Sequence, residues 1–468
     1  MRGMFVGVVV ILGVGCVSST ATDPLSSPPP ENAVRVDAEP PGANCSYGGV
    51  AIHSGLDLDD DGVLEDSEIM STQYVCNGSE AIHCPAAGTT HTGTVTVASA
   101  ADAMTLDGVT CLDGDLIVTG LVGELPTFPD LQIVTGEVVV AGNPTMTSLN
   151  GFAALDKIGQ AYSVEANASL TDLGEIASLT KIQTIWIIGN DALQDVAGLL
   201  PMTRIDGGIT ISNNAGLTSL HGLENVTEIT NALTLDSNRN LTDLSALANL
   251  GSVYMLDISS NAALTDISLP ALAKITVRMI ISADPELVTI SLPQLVTMND
   301  GVTIQSNPKL ASIAMPSFLT TAILTIINSP MLASVDLSAF TVATVDVNLM
   351  NLPALSGLDL GSLISIGGKL AVVNTNAQLF AGMAQLHTVG ALAISNGGLV
   401  DFTGLGALAQ ISGDFTVAGC PQLTSFAGLT TLADVGGNLT ITQNPVLPLA
   451  TAQTFASSIA VHGTVAIN

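Results

Sequence analysis

The sequence predicts an all-β protein built largely as a parallel β-helix, or solenoid, and three observations carry that reading. Apolar residues alternate with Thr, Ser, Asn and Asp over most of the chain, the period of strands with one face on a core. Hydrophobic residues make up 47% of the 468, yet no segment after residue 16 runs the ~18 uninterrupted apolar residues that a spanning helix needs. One phrase recurs almost to the last residue, and fixed-period repetition is the mark of stacked coils.

The phrase is legible in "VTIQSNPKLASI" (Val302 to Ile313), "ITISNNAGLTSL" from Ile209, "LTLDSNRNLTDL" from Leu233 and "LTITQNPVLPLA" from Leu439. It reads apolar-x-apolar-x-x-Asn-x-x-Leu-x-x-apolar. Its Asn falls at 143, 167, 190, 214, 238 and 261, then comes Asp284, then Asn307, each 23 or 24 residues after the last. It continues through Asn328, Asn351, Asn376, Asn396, Cys420 and Asn444 with slips of a residue or so. Roughly fourteen coils therefore fit between Gly114 and the C-terminus, each a rung ~4.8 Å deep. Val302, Ile304, Leu310 and Ile313 would face inward, and the Asn would bond turn backbone while stacking on the Asn above and below. Cys420 is expected to fill that same turn position as a small structural side chain.

Leucine-rich repeats place one residue between Asn and the next Leu, whereas Asn238 to Leu241, Asn261 to Leu264 and Asn307 to Leu310 are separated by two. That spacing, with Asn-Pro turns and a closing V-x-G, resembles the receptor L domain, a right-handed β-helix of growth-factor receptor ectodomains also found in bacterial and fungal surface proteins. The segment "HCPAAGTTHTGTVTVASAADAMTLDGVTCLDGDLIVTG" is similar to that family's opening, with a first Cys, a second Cys and then x-G-x-L-x-[IV]. The resemblance covers roughly residues 84 to 468, much longer than one receptor L domain, so the receptors' ligands are not carried over. Residues 81–113 read as the N-terminal cap and 114–468 as the solenoid.

Ahead of it, residues 1–15 resemble a secretion signal: Arg2, an apolar run from Met4 to Val14, then Gly15. Cys16 follows a small residue, as in the lipobox of bacterial lipoproteins, although Gly13 stands where an aliphatic residue is usual; simple secretion is the other reading. The resemblance implies acylation of Cys16, a lipid anchor to a membrane, and an outer-membrane or cell-surface location. Residues 16–42 are Ser- and Pro-rich and read as a flexible tether. With Cys16 set aside, Cys45 is expected to pair with Cys76 and Cys84 with Cys111, because each pair brackets one segment.

Between the first pair lies "DLDDDGVLEDSE", Asp57 to Glu68, which fits the calcium loop D-x-[DN]-x-[DN]-G-x5-E at every required position. Asp57, Asp59 and Asp61 would supply side-chain oxygens, Val63 its carbonyl, Glu65 a direct or water-mediated contact and Glu68 a bidentate carboxylate. Residues 43–80 thus read as a Cys-bracketed module with a structural calcium ion. Its flanks are strand-like, unlike the helices of an EF-hand.

A net charge of −31 repels polyanions, so no nucleic-acid partner is expected. The six His are scattered without ligand spacing, and no nucleophile motif appears. The recurring Asp172, Asp195, Asp243, Asp266 and Asp401 share a column with Ser219, Ser312, Ser334 and Ser425, which reads as a solvated face rather than a catalytic pair. A polysaccharide lyase or hydrolase and an envelope spacer are the alternatives to the preferred reading, a non-catalytic surface scaffold for an envelope, glycan or protein ligand. Its candidate face lies on the first strand of each coil, with apolar spots at Trp186 and Ile188 and at Ile327, Met350 and Val373. The last coil is expected either to be covered by "ATAQTFASSIAVHG" or to associate end to end.

Overall fold

The computed structural model describes residues 31–39, 49–57, 64–66, 68–76, 82–174, 176, 179–375 and 379–468. The chain divides into two compact units, Met1–Glu80 and Ala81–Asn468. In the first, β1 (Glu31–Glu39), β2 (Gly49–Asp57) and β3 (Ile69–Cys76) form an antiparallel sheet in that order. The acidic loop therefore joins two paired strands, as its strand-like flanks imply. β1 corrects the tether boundary, because residues 31–39 pair with β2 throughout. "ENAVRVDAE" carries a strand alternation that the prolines on either side obscure.

The second unit is a parallel β-solenoid of about sixteen turns. Three rungs of the main sheet, Val95–Val97, Leu116–Thr119 and Val465–Ile467, lie outside the fourteen that the Asn phrase counts. The first rung, Val95–Val97, already pairs with Leu116–Thr119 inside the segment assigned to the cap, and the last, Val465–Ile467, pairs with Leu439–Thr442. Stacking buries what no coil could bury alone. Val302, Ile304 and Leu310 are 0% and Ile313 1% exposed, and their equivalents form one continuous core along the unit.

Coils close in two ways. Five consecutive coils add a short strand, from Asp266–Ser268 to Gly357–Asp359, and these make a second parallel sheet. Several other coils hold a 3-10 turn near that place, as at Ala197–Leu199 and Ser245–Leu247. Ile267, Ile290, Ile313, Val335 and Leu358 fill the inward position of the five strands.

The Asn column is a buried ladder. Asn143, Asn167, Asn190, Asn214, Asn238, Asn261, Asp284 and Asn307 are all 0% exposed. From Asn143 to Asp284 each main-chain N–H donates to the side-chain Oδ1 one coil on, as from Asn190 to Asn214 (2.9 Å) and from Asn214 to Asn238 (3.1 Å). The residue before each ladder position has positive φ, including Asn213, Ser237, Ser260, Ala283 and Ser306, and this left-handed step turns the following side chain inward.

Beyond Asn307 the structure corrects the assigned column. Asn328, Asn351 and Asn396 themselves have positive φ, so they occupy the position one residue earlier and are exposed, and the ladder position passes to Ser329 and Leu352, both 0% exposed. Asn376 lies outside the described residues, and Asn374 takes the positive-φ place in that coil. The one-residue slips in the repeat mark this change of role: Asn tolerates left-handed backbone as well as it bridges coils. Cys420 does stand in the ladder column, buried and reduced, its N–H donating to Asn444 Oδ1 at 2.9 Å.

At the start of the unit Cys84 and Cys111 are joined, with Cα atoms 5.6 Å apart. Near its end a helix, Leu449–Ser458, sets Phe455 against Phe426 with ring centroids 4.0 Å apart. The expected covering segment is thus part of the last coil, and the final rung follows it.

Candidate binding face and acidic loop

The outward positions of the main sheet form two columns in strict register. Ser163, Trp186, Thr210, Thr234, Asp257, Ile280, Thr303 and Thr325 are successive partners. So are Glu165, Ile188, Ser212, Asp236, Ser259, Ser282, Gln305, Ile327, Met350 and Val373. Parallel pairing at constant coil length makes this inevitable, since alternate side chains of every strand face the same way.

The structure brings the predicted residues together in two places. Trp186, 36% exposed, and Ile188 stand two residues apart on one rung, beside Ser163 and Glu165, whose side chains bond at 2.6 Å. Ile327, Met350 and Val373 are consecutive and half-buried. The two spots are separated by an acidic stretch in which Ser259 Oγ donates to Asp236 (3.2 Å) and Asp257 (3.0 Å).

The second spot has a border that sequence reasoning missed. Asn351 Nδ2 donates to Asn328 Oδ1 at 2.7 Å and Asn374 Nδ2 to Asn351 Oδ1 at 3.2 Å, and Asn348 Nδ2 donates to Thr325 Oγ1 at 3.2 Å on the other flank. An apolar stripe three rungs long thus runs between two lines of amide and hydroxyl groups. The signal was the same one-residue slip at Asn328.

The recurring Asp/Ser column has a local structural task. Asp172, Asp195, Asp243 and Asp401 each accept the N–H two residues on, at 2.7 to 3.1 Å, and Ser148 Oγ does so at 3.2 Å. These are Asx and Ser turns that open the return segment. Either side chain serves, which explains why the column accepts both.

In the first unit, Asp57 ends β2, while Asp59, Asp61 and Val63 lie outside the described residues, as do Cys16 and Cys45; Cys76 ends β3. The loop's exit is ordered. Glu68, 7% exposed, accepts the Glu65 N–H on Oε2 at 3.0 Å, and its own N–H donates to the Glu65 carbonyl at 3.0 Å. Arg35 of β1 ties the exit down, donating to the Leu64 carbonyl (2.7 Å), Asp66 (2.6 Å) and Asp37 (2.9 Å). The Arg35 guanidinium holds the Asp66 carboxyl below the usual carboxylate range. Among the described residues no group of three or more His, Cys, Asp or Glu converges as a metal site.

Fold and face together define a parallel β-solenoid with an in-register outward face. Residues 203–318 match the Receptor L domain family, and residues 32–76 match a family described as Domain of unknown function (DUF7151). No curated protein is significantly similar to the chain. Among solved structures, one described as "Crystal structure of TLR13-ssRNA13 complex" is 14% identical over 72% of this chain and 68% of that chain, with a TM-score of 0.23, a likeness too slight to carry anything about this chain's partner.

Proposed function

We propose that the chain is a non-catalytic, surface-anchored binding scaffold whose ligand lies along the outward face of the main sheet. The observation that carries this reading is the in-register face itself, with its apolar stripe at Ile327, Met350 and Val373 bordered by aligned amides, and a second spot at Trp186. The Receptor L domain match over the middle coils supports it. An envelope, glycan or protein ligand fits a surface of this mixed character. In this reading Cys16 carries the lipid anchor, at the outer membrane or cell surface, and the DUF7151-matching unit joins anchor to scaffold.

The test is a binding screen of the chain from residue 17 onward against glycans and envelope extracts. Once a component binds saturably, Met350→Asp is expected to weaken it at least about tenfold, as loss of a central contact does, with little change in thermal stability because the side chain is half-buried. Wild-type affinity in both Met350→Asp and Trp186→Ala proteins would remove the face from consideration. Turnover of an acidic glycan would favour the lyase reading instead.

A structural calcium ion in the acidic loop belongs to the same proposal. Asp57, Asp59, Asp61, the Val63 carbonyl, Glu65 and Glu68 would hold it, and the described part fits: Glu68 is buried, faces back to Glu65, and sits on an exit that Arg35 fixes. Calcium is expected to saturate the protein at roughly 0.1 to 1 mM or tighter and to raise the unfolding temperature of this unit. Glu68→Ala should abolish both effects. Calorimetry showing no heat up to ~10 mM calcium would sink the site.

A further inference from the structure

The ladder has one acidic member, Asp284, and its geometry is that of an amide with a missing proton. From Asn143, which reaches the Val118 carbonyl at 3.1 Å, to Asn261, which reaches Leu235 at 2.9 Å, each ladder amide donates Nδ2 to a strand carbonyl one coil back. Asn307 resumes the series on Ile281 at 3.2 Å. The carbonyl between them in register is that of Ile258, partner of Leu235 on one side and Ile281 on the other. Asp284 has the ladder's other bonds: Oδ1 accepts from Asn261 N (2.7 Å) and Nδ2 (3.4 Å), and its N–H donates to Asn307 Oδ1 (2.9 Å). Its Oδ2, standing for the Nδ2 of its neighbours, is buried without any partner.

We propose that Asp284 is a proton-binding site inside the solenoid: the neutral acid donates Oδ2–H to the Ile258 carbonyl and completes the ladder, and the carboxylate leaves that oxygen facing another acceptor and loosens this coil. A carboxylic acid is nearly the shape of a carboxamide, and a buried oxygen without a donor is costly. Its electrical surroundings agree. Burial raises its pKa to about 7 against the opposing hydrogen bonds from Asn261, and Asp257 and Asp236 on the neighbouring rungs push the same way as burial. Among the described residues no cation bonds it. On its own coil Glu286 is paired with Lys309 at 2.5 Å, and Arg278, at the start of the preceding strand, directs Nε to Met255 Sδ at 3.1 Å.

With the folded value near 7 and the unfolded near 3.9, the native state holds the extra proton between the two. Stability from this group therefore falls as pH rises from about 4 to about 7 and then levels, the folding constant dropping about tenfold per pH unit. Unfolding of wild type and Asp284→Asn, compared from pH 4.5 to 8, cancels the other carboxylates. The variant is expected to match wild type in acid and to exceed it at pH 8 by at least about a hundredfold in folding constant. A constant difference across the range overturns the proposal. Asp284→Ser, with the residue the ladder column itself uses at Ser329, is a second neutral variant and should lose the same pH dependence. Infrared spectra should show a buried protonated carboxyl band in wild type at pH 5 that Asp284→Asn lacks; its absence from wild type also overturns the assignment.

Discussion

Asn214→Ala is expected to cost about 4 kcal/mol, although it removes no more than a small side chain from a turn. The residue is 0% exposed. Its Nδ2 donates to Ile187 O (2.8 Å), Ser212 O (3.1 Å) and Asn238 Oδ1 (3.3 Å), and its Oδ1 accepts both the main-chain N–H (2.9 Å) and Nδ2 (3.3 Å) of Asn190. Alanine leaves a buried donor on Asn190 and an acceptor on Ile187 that water cannot reach, at about 1 to 3 kcal/mol each. Denaturant unfolding measures the loss, and hydrogen exchange should show it first at the Asn190 amide. The chain dispenses with the amide at Leu352, where Asn328, Asn351 and Asn374 link the coils from outside. A loss under about 1 kcal/mol would mean that the ladder follows from stacking and does not stabilise it.

Phe402→Ala is expected to be the most damaging core substitution among the C-terminal coils, at about 4 to 5 kcal/mol. Phe402 is 0% exposed and central to an aromatic column. It stacks on Phe380 (6.1 Å) and Phe426 (5.5 Å) and meets Phe415 edge-on (5.9 Å), and Phe426 carries the column to Phe455 of the terminal helix. Truncation loses the transfer energy of the ring, opens a cavity and breaks three ring contacts at once. Each coil touches only its neighbours, so damage should stay local. Exchange protection should fall from about Leu379 onward and persist at Ile209–Ser212 and Gly301–Gln305. Uniform loss of protection along the unit would show that the solenoid unfolds as one cooperative body.

The repeat is what makes the solenoid legible in the amino-acid order. A period of 23 or 24 residues with alternating apolar positions admits few arrangements other than stacked coils, so the inward residues, the two outward columns and the Asn turn are all readable from spacing. The Cys84–Cys111 bridge is readable as well, from the way its ends bracket one segment. Local pattern is weaker where prolines surround a short alternation, as at β1, and where one residue type serves two backbone conformations, as at Asn328.

The sequence by itself determined that this protein stacks coils, because hydrophobic periodicity and coil length are local properties that every repeat states again. Only the tertiary structure decided which asparagines are inside. That depends on one left-handed residue per coil, on which side chain the next coil offers as acceptor, and at Asp284 on a carbonyl one coil away that the linear sequence places 26 residues earlier. Hydrogen bonding across coils is a relation between distant residues, and burial is what gives each such bond, made or missing, its free-energy weight.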